Sequence, residues 1–557
     1  MGTPTVKLTL ELKRVQTFIF EVPRLKAMLG ANALIGQTMR HELPALPANQ
    51  GSRLDWPKEI RLQGTADDPL DRPETDASDR DDPAALYQRG ILARDGGHFI
   101  VLFDDESAAE RFLEQAEAVL AERLPGVLYE ARIDPFPEPK EPPPRQPRDP
   151  HETALLDLPV LQVCQETGQG PASVRNDKGY WQGESVRYRL EWGDWFYKGC
   201  TQDIIGLLRP TLYPDRAMDW QEPDDLAQLA AGGYLALIHA DGNGIGKRYK
   251  SWRDQAKSQN EVVKEAHGEA FFHSMRVAVR RAVVTALTKT FTEPGGVRPY
   301  EILMLGGDDL LLACRADRAL DFARHYAEEL TRYTLADGQP LTVAIGAAIA
   351  RKSYPLHRLH ELAEDLASSA KRLYRALLST GETSSVIDWQ VVTQSWFADV
   401  AEARRQTERI QYQVNGQVDT LLLTGRPYRV LGAEGLDELL RDAQQLDAPR
   451  KPGESGDTQD ESKAARSSLR ALRAACEQGR LMAEMAFARL PESVRARLAW
   501  NDGALWKPTA QGDQTFYLTR ALDIIGLREI EHLGKRQDQS PSSSGREVEV
   551  RVHNRYF

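Results

Sequence analysis

The chain has 557 residues, of which 41% are hydrophobic and 27% are charged, and its formal net charge is −11. This length predicts several domains, and the composition is typical of a folded globular protein rather than of a disordered or fibrous one. The negative charge argues against a protein that holds nucleic acid alone, because binding phosphates requires a concentrated excess of Lys and Arg. We therefore expect the isolated chain to bind nucleic acid weakly.

Membrane proteins and disulfide-rich proteins are also disfavoured. No apolar run approaches the roughly 18 residues that cross a bilayer, and the first residues carry charges where a signal peptide is apolar. We therefore expect a cytoplasmic protein with no membrane partner. The four cysteines form no Cys-x-x-Cys pair, which favours reduced thiols and argues against a zinc site.

The sequence pattern of residues 1–133 predicts a small domain of alternating strands and helices. Strand and helix patterns alternate in the order β-α-β-α-β over residues 7–12, 24–43, 98–103, 112–120 and 127–133. An acidic, solvated loop is predicted at residues 63–86 and a semi-rigid, proline-rich linker at residues 134–152. The unit is therefore a small domain with an insertion, followed by a spacer.

The connector at residues 153–230 is rich in aromatic residues, with Tyr180, Trp181, Trp192 and Trp195 among them. A small core or a domain interface explains these residues better than a surface for stacking bases, because few cations lie among them. The stacking surface stays open as the alternative.

Residues 231–395 repeat the first pattern more clearly. A strand at 233–241, a long helix, a hairpin at 300–314, a helix near 316–333 and a strand at 341–350 give the order β-α-β-β-α-β. This is the order of a ferredoxin-like palm with the hairpin as its central strands. A further helix at 358–378 and a strand at 384–390 close the unit.

Residues 396–557 predict a C-terminal helical bundle, broken by a flexible loop at 448–463. The predicted fold class is therefore α+β, with two ferredoxin-like palms, a mixed connector between them and C-terminal helices.

Three carboxylates mark a candidate metal site. Asp241 ends an apolar strand, and Asp308 and Asp309 lie at the turn of an equally apolar hairpin. In the palm order these elements are neighbours, so the carboxylates converge at one end of the sheet. Several anions in one place require a counter-charge, and Mg²⁺ or Mn²⁺ with oxygen ligands would supply it beside a nucleotide.

The glycines near these carboxylates predict a nucleotide-binding site. Gly306 and Gly307 are expected to give the turn positive φ angles and to let a nucleotide approach. In the segment before the next helix, backbone N–H groups would meet phosphate at Gly242, Asn243, Gly244 and Gly246. Each glycine pair alone is typical of an ordinary turn, so the prediction depends on the combination with the carboxylates.

Other glycine motifs do not fit. A P-loop requires GxxxxGK followed by Ser or Thr, but here Lys247 precedes Arg248, and the third glycine of a dinucleotide fingerprint is missing. His239 shares a strand face with Asp241, and we interpret it as a hydrogen-bonded structural histidine rather than a metal ligand.

Four segments, two in each predicted palm, carry a resemblance to a known family. HADGNGIG followed by LGGDDLLLA resembles the second palm of the large subunit of type III CRISPR effector complexes, the GGDD-type cyclic-oligoadenylate synthetases. RVQTFIFEVPRLKAMLGANALIG and DGGHFIVLF are similar to that subunit's first palm. Together the two likenesses cover about residues 1–395.

This resemblance implies specific roles. Asp241, Asp308 and Asp309 would be the ligands of two Mg²⁺ or Mn²⁺ ions, and Lys371 would contact the triphosphate of the substrate ATP. The product would be a cyclic oligoadenylate. The implied partners are the other subunits of a type III-like complex, with guide RNA and target RNA.

The chain departs from the family in three places. No His-Asp dipeptide of the family's nuclease domain is present, and Thr167 stands where a zinc knuckle would have the cysteine that follows Cys164. The first palm has Glu11-Leu12-Lys13 where an active palm would present its strand-end Asp, and Gly96-Gly97-His98 in place of GGDD. We therefore expect no DNA cleavage, no zinc, and a first palm that positions substrate without binding metal.

Three alternatives stay open. A diguanylate cyclase shares the palm, although Leu310 follows the GGDD where that family has Glu-Phe. A non-catalytic scaffold of an RNA-guided complex and a stand-alone cyclic (di)nucleotide synthetase are the others. Separately, we interpret the basic cluster Arg276, Arg280 and Arg281 on the long palm helix as a solvated outer face.

Overall fold

The computed structural model of the protein describes residues 4–46, 51–62, 83–137, 162–168, 170–256, 260–392, 400–414, 417–446, 458–511 and 514–535. Most of the predicted acidic loop at 63–86, linker at 134–152 and loop at 448–463 lies outside these residues. The parts that are described differ from the prediction at three places, because residues 83–86 and 458–463 are helical and residues 134–135 belong to a strand.

Residues 4–137 form the first palm. Its elements are β1 (Val6–Lys13), α1 (Val15–Phe20), α2 (Leu25–Gln37), a π-helical turn (Thr38–Glu42), α3 (Leu43–Ala45), α4 (Pro83–Tyr87), β2 (Ile91–Ala93), β3 (His98–Phe103), α5 (Glu106–Arg123) and β4 (Leu128–Pro135). The strands form one antiparallel sheet in the order β2-β3-β1-β4. The unit is therefore a complete β-α-β-β-α-β palm, and the sequence missed β2 because three residues are too few to show a strand period.

The connector packs on the first palm. It contains β5 (Ala172–Arg175), β6 (Trp181–Gly183), α6 (Glu184–Tyr197), α7 (Ile204–Leu207), α8 (Arg209–Leu212), α9 (Asp215–Met218) and a 3₁₀ turn (Leu226–Leu229). Helix α6 lies against α2. Trp192 and Phe196 are buried in the main core, which confirms the core interpretation for these two residues, while Tyr180 and Trp195 are exposed.

The second palm has the predicted order. Its elements are β7 (Tyr234–Gly242), α10 (Ile245–Asp254), α11 (Glu261–Thr290), β8 (Tyr300–Leu305), β9 (Leu310–Arg315), a 3₁₀ turn (Ala316–Arg318), α12 (Ala319–Leu330), β10 (Val343–Arg351), α13 (Leu356–Ser379) and β11 (Val386–Val391). Strands β8, β9, β7 and β10 repeat the order of the first palm, and β11 adds in parallel to β10. The two palms are therefore a structural duplication.

The C-terminal region is mostly helical but also contains strands. Its elements are α14 (Val400–Thr407), β12 (Arg409–Val414), β13 (Gln417–Leu422), β14 (Tyr428–Arg429), α15 (Leu436–Gln445), α16 (Thr458–Gln478), α17 (Arg480–Ala488), α18 (Glu492–Leu498), β15 (Lys507–Gln511), β16 (Gln514–Leu518) and α19 (Ala521–Lys535). A sheet in the order β12-β13-β16-β15 corrects the prediction of a helical bundle alone. The edge strand β15 contains Pro508, which in sequence is typical of a loop but is tolerated at a sheet edge.

One hydrophobic core joins all four regions. Leu10 of the first palm, Trp192 of the connector, Leu237 of the second palm and Ile525 of the C-terminal region belong to the same cluster of buried side chains. The palms therefore do not have separate cores. Within the described ranges, no helix combines the length and the apolar composition that a membrane span requires.

Candidate metal and nucleotide site

The sheet of the second palm brings the three carboxylates together. Strands β7 and β9 are antiparallel neighbours with Ala240 opposite Leu310, so Asp241 and Asp309 follow one step further at the same end of the sheet. Oxygen atoms of Asp241, Asp308 and Asp309 lie within 4.8 Å of one another. The predicted convergence is therefore present in the structure.

Burial and mutual repulsion disfavour the charged forms of two of these groups. Burial, followed by the charge of Asp241, raises the pKa of Asp308 to about 6. Burial, followed by the charges of Asp308 and Asp241, raises the pKa of Asp309 to about 7. The two carboxyls would therefore gain from a nearby cation, which would stabilise their ionised forms.

Lys371 supplies the nearest positive charge. It lies on α13, which packs across β10 and β7, and its ammonium group forms an ion pair with the Asp241 carboxylate. Its charge opposes the rise in the pKa of both Asp308 and Asp309. One ammonium group cannot balance three carboxylates, and the all-oxygen donor set is the kind that Mg²⁺ and Mn²⁺ prefer. The residues therefore fit a divalent cation.

The DGNGIG segment turns tightly beside the carboxylates. Gly244 has a φ of 67° and begins α10, a conformation that favours glycine. A Cβ atom on Gly242 would lie 2.8 Å from the Cβ of Asp308, so this glycine lets the hairpin turn approach β7. Gly246 faces open space, since a Cβ atom on it would meet nothing within 4 Å. The start of α10 is therefore open on the side where a phosphate could bind.

Asn243 has a structural role in addition to its predicted place in the nucleotide site. It is buried, its backbone N–H donates to the Thr342 carbonyl at 2.8 Å, and its side-chain amide donates to the Thr342 hydroxyl at 3.3 Å. These bonds tie the end of β7 to the chain that leads into β10. Asn243 therefore fixes the backbone from which Asp241 projects.

The prediction for Gly306 and Gly307 is wrong in one respect. Neither residue has a positive φ, whereas the corresponding turn of the first palm does, with φ of 63° at Gly96 and 77° at Gly97. A Cβ atom on Gly307 would lie 3.2 Å from the Met275 side chain. Gly307 therefore serves close packing rather than an unusual backbone conformation.

His239 differs from its interpretation. It is buried, but neither ring nitrogen has a hydrogen-bond partner in the described part of the chain. Its ring stacks on His360 at 6.2 Å, and His360 in turn contacts Phe20 of the first palm at 4.4 Å. Burial lowers the pKa of both histidines. His239 is therefore a neutral packing residue between the palms.

The basic cluster on α11 is also not a solvated face. Arg276 and Arg280 are buried, because α11 packs against α4 and β2 of the first palm. Arg276 pairs with Glu269 at 2.6 Å and lies 3.9 Å from Asp95, in the hairpin turn of the first palm. The prediction failed because the sequence did not show that the palms meet at this helix.

Two residues near the site were not predicted from the sequence. Arg248 on α10 forms a bidentate pair with Asp337 at 2.8 Å, which anchors the helix that follows the glycine segment. Tyr326 on α12 is fully buried, and its hydroxyl has no hydrogen-bond partner among the residues described. Burial and the charges of Asp308 and Asp309 raise its pKa. No sequence signal marks Tyr326, since an aromatic residue on an amphipathic helix is typical of core.

The duplicated sheet and the carboxylate cluster define the second unit as a palm domain with a candidate metal site. Residues 234–376 match the family model described as Cas10/Cmr2, second palm domain. Over these residues the chain is therefore similar to the Cas10/Cmr2 second palm.

Solved structures of Csm1–Csm4 cassettes are also similar. The cassette in complex with pppApA has 11% identity and a TM-score of 0.47, over 96% of this chain and 70% of that one. The cassette with cA4 has 12% identity and a TM-score of 0.35, over 67% and 53%. The cassette with AMPPNP has 13% identity and a TM-score of 0.36, also over 67% and 53%. In the cA4 match the chain spans about half of the other protein, and comparison with curated proteins found no match.

Proposed function

We propose that the protein is a metal-dependent nucleotidyltransferase that makes cyclic oligoadenylates from ATP. The observation that carries the proposal is the convergence of Asp241, Asp308 and Asp309, with oxygen atoms within 4.8 Å, beside Lys371. This arrangement lies in a palm of the Cas10/Cmr2 family. The choice of adenylate products follows the resemblance of the GGDD segment described above.

Each residue has a role in this proposal. The three carboxylates would hold two Mg²⁺ or Mn²⁺ ions, whose positive charge would lower the pKa of a ribose hydroxyl and neutralise the leaving pyrophosphate. Lys371 moves from its pair with Asp241 to donate to a phosphate oxygen of ATP. Backbone N–H groups at the start of α10 bind another phosphate oxygen, because Gly244 and Gly246 leave room there.

The proposal extends to partners. The negative net charge of the chain supports a protein that meets RNA through other subunits rather than alone. We therefore place it in a type III-like CRISPR effector complex with guide RNA, in which bound target RNA activates synthesis. The Csm1–Csm4 structures, some of which contain cA3 or cA4, set the products for which an assay should look.

The test is a double substitution at the metal site. Asp308→Asn with Asp309→Asn should reduce product formation to below roughly one hundredth of the wild-type rate, because the charge that holds the cations is lost. Product is identified by mass spectrometry after incubation with ATP and Mg²⁺ or Mn²⁺, with the reconstituted complex and target RNA present.

The control variant carries Asp177→Asn and Asp502→Asn, two exposed carboxylates outside the palm that change the charge equally. It should keep the wild-type rate. Wild-type turnover by the Asp308/Asp309 variant would refute the metal site, and an inactive wild-type complex would favour the scaffold alternative.

A further inference from the structure

A large cavity lies far from the carboxylates. It has a volume of about 750 Å³ and lies between the C-terminal helices α16 and α19 and the end of the palm sheet formed by Tyr234 and the last residues of β11. Asp241 is seven residues from Tyr234 along β7, which corresponds to about 23 Å. The cavity is therefore at the opposite end of the sheet from the metal site.

Arginines of α16 line this cavity on one side. Arg466, Arg470 and Arg473 all border it, and their spacing of four and three residues places them on one face of the helix. Arg473 pairs with Glu529 at 3.1 Å. Arg466 and Arg470 are exposed and have no ion-pair or hydrogen-bond partner among the residues that the structure describes. Two guanidinium groups, one helical turn apart, are therefore available to a ligand.

Most acidic groups of the cavity are already balanced. Asp523 accepts hydrogen bonds from the hydroxyls of Thr424 and Tyr428, each at 2.7 Å, and lies 3.3 Å from Arg426. Arg426 also pairs with Glu408. Glu477 is the acidic lining residue for which the described part of the chain offers no partner. The available charge at the cavity is therefore positive, and it favours an anion.

The rest of the lining is apolar. Leu469 and Ile525 are buried, and Leu522 and Leu533 are partly buried beside them. The volume is within the range of about 300–1,000 Å³ that is usual for small-molecule sites. Guanidinium groups bind phosphate with two parallel hydrogen bonds, and an apolar wall next to them would accept a nucleobase.

We propose that this cavity is a second binding site, which takes the phosphate and base of a nucleotide, either free or at the 5′ end of an RNA chain. Arg466 and Arg470 bind the phosphate, and the leucine-rich wall contacts the base. The site needs no metal ion, since arginines supply the positive charge. It therefore goes beyond the proposed synthesis and does not depend on it.

Isothermal titration calorimetry of the full chain in EDTA tests this site, because chelation removes the contribution of the carboxylates. The ligands are ADP, pyrophosphate, hexaadenylate with and without a 5′ phosphate, and hexaglutamate. Arg466→Ala with Arg470→Ala should weaken ADP binding at least tenfold. Arg111→Ala with Arg489→Ala, two exposed arginines outside the cavity, is the control and should bind ADP like the wild type.

The relative affinities of these ligands identify the source of the nucleotide or overturn the proposed site. ADP binding as tight as, or tighter than, that of 5′-phosphorylated hexaadenylate identifies free nucleotide as the source, and the reverse order with a 5′-phosphate requirement identifies RNA. The proposal is overturned if ADP does not bind in EDTA, or if both variants lose the same amount of ADP affinity. It is also overturned if pyrophosphate binds as tightly as ADP, or if hexaglutamate binds more tightly than ADP. Thermal melting of both variants within ~2 °C of the wild type shows that the losses are local.

Discussion

Gly242 determines how closely the two carboxylate-bearing elements approach. A Cβ atom there would lie 2.6 Å from the Ile245 side chain and 2.9 Å from a carboxylate oxygen of Asp308. Gly242→Ala should therefore displace Asp308 and weaken Mn²⁺ binding by roughly tenfold or more, since ligand geometry must be kept to a fraction of an ångström. Electron paramagnetic resonance of free Mn²⁺ measures this affinity.

Gly246→Ala is the matched control, because a Cβ atom at this position meets nothing within 4 Å. It should bind Mn²⁺ like the wild type. Equal Mn²⁺ affinity in the wild type and the Gly242→Ala variant would contradict the argument that glycine is needed for this approach.

The raised pKa values of Asp308 and Asp309 predict a pH dependence of stability. A carboxyl whose pKa is higher in the folded state binds its proton more tightly when the protein is folded. Its contribution to the stability of the folded state is therefore fully present when the pH is below its pKa in the unfolded chain. It is lost as the pH rises through about 6 for Asp308 and about 7 for Asp309. Without metal, the wild type should therefore lose stability relative to the Asp308→Asn/Asp309→Asn variant as the pH rises, by roughly 1–3 kcal/mol.

Urea unfolding in EDTA at acidic, neutral and mildly alkaline pH measures this difference. Added Mg²⁺ should restore the wild type at high pH and leave the variant unchanged. A constant difference between the two proteins across this range would show that folding does not raise the pKa of these two carboxyls.

For individual residues, the sequence predicts which side chains lie together better than it predicts backbone conformation. Asp241, Asp308 and Asp309 could be placed together because Asp241 lies at the end of one strand and the other two lie at the turn before a strand that the palm order makes its neighbour. The φ angles of Gly306 and Gly307 could not be predicted, since glycine occurs both in turns with a positive φ and in turns with a negative φ. The role of Tyr326 could not be predicted either, because burial next to a charge depends on packing between elements.

Helices α2 and α6 approach closely at two glycines. A Cβ atom on Gly30 would lie 1.8 Å from the Arg189 carbonyl oxygen, and one on Gly193 would lie 2.2 Å from the Lys26 carbonyl oxygen. Gly30→Ala should therefore push the helices apart and lower the free energy of unfolding by about 1–3 kcal/mol, as overpacking does. Chemical denaturation measures this change.

Gly526→Ala on α19 is the control for helix propensity, because a Cβ atom there meets nothing within 4 Å. It should raise the free energy of unfolding by up to about 1 kcal/mol. If both substitutions stabilised the protein, the close contact between α2 and α6 would not be the reason for Gly30.

The elements that the sequence missed have different physical causes. The short strand β2 lacks a run long enough to show a period of two residues, and β15 contains proline. Strand β12 does alternate polar and apolar residues, in RIQYQV, and was missed because the helical pattern around it was extended over the whole C-terminal region. The burial of Arg276 and Arg280 was missed because charge on a helix is typical of a solvated face. The two arginines are buried here because α11 packs against the first palm.

For the whole molecule, the net charge of −11 predicts weak binding to nucleic acid. The isolated protein should bind single-stranded RNA or DNA with a Kd near or above ~10⁻⁶ M at physiological salt, because its overall charge repels phosphate. Fluorescence anisotropy at two salt concentrations measures the affinity. Nanomolar binding with little salt dependence would contradict the dependence on partner subunits.

The hydrophobic core that joins the palms also bears on how the chain could be divided. A break between residue 137 and residue 162 would leave every described strand and helix whole. The resulting fragments would each expose apolar surface that matches the other, since Leu10 and Leu237 belong to one cluster. Such fragments are suited to complementation, in which two separately expressed polypeptides bind each other and reassemble the candidate site. An experimenter could then control the formation of the site by controlling the association of the fragments.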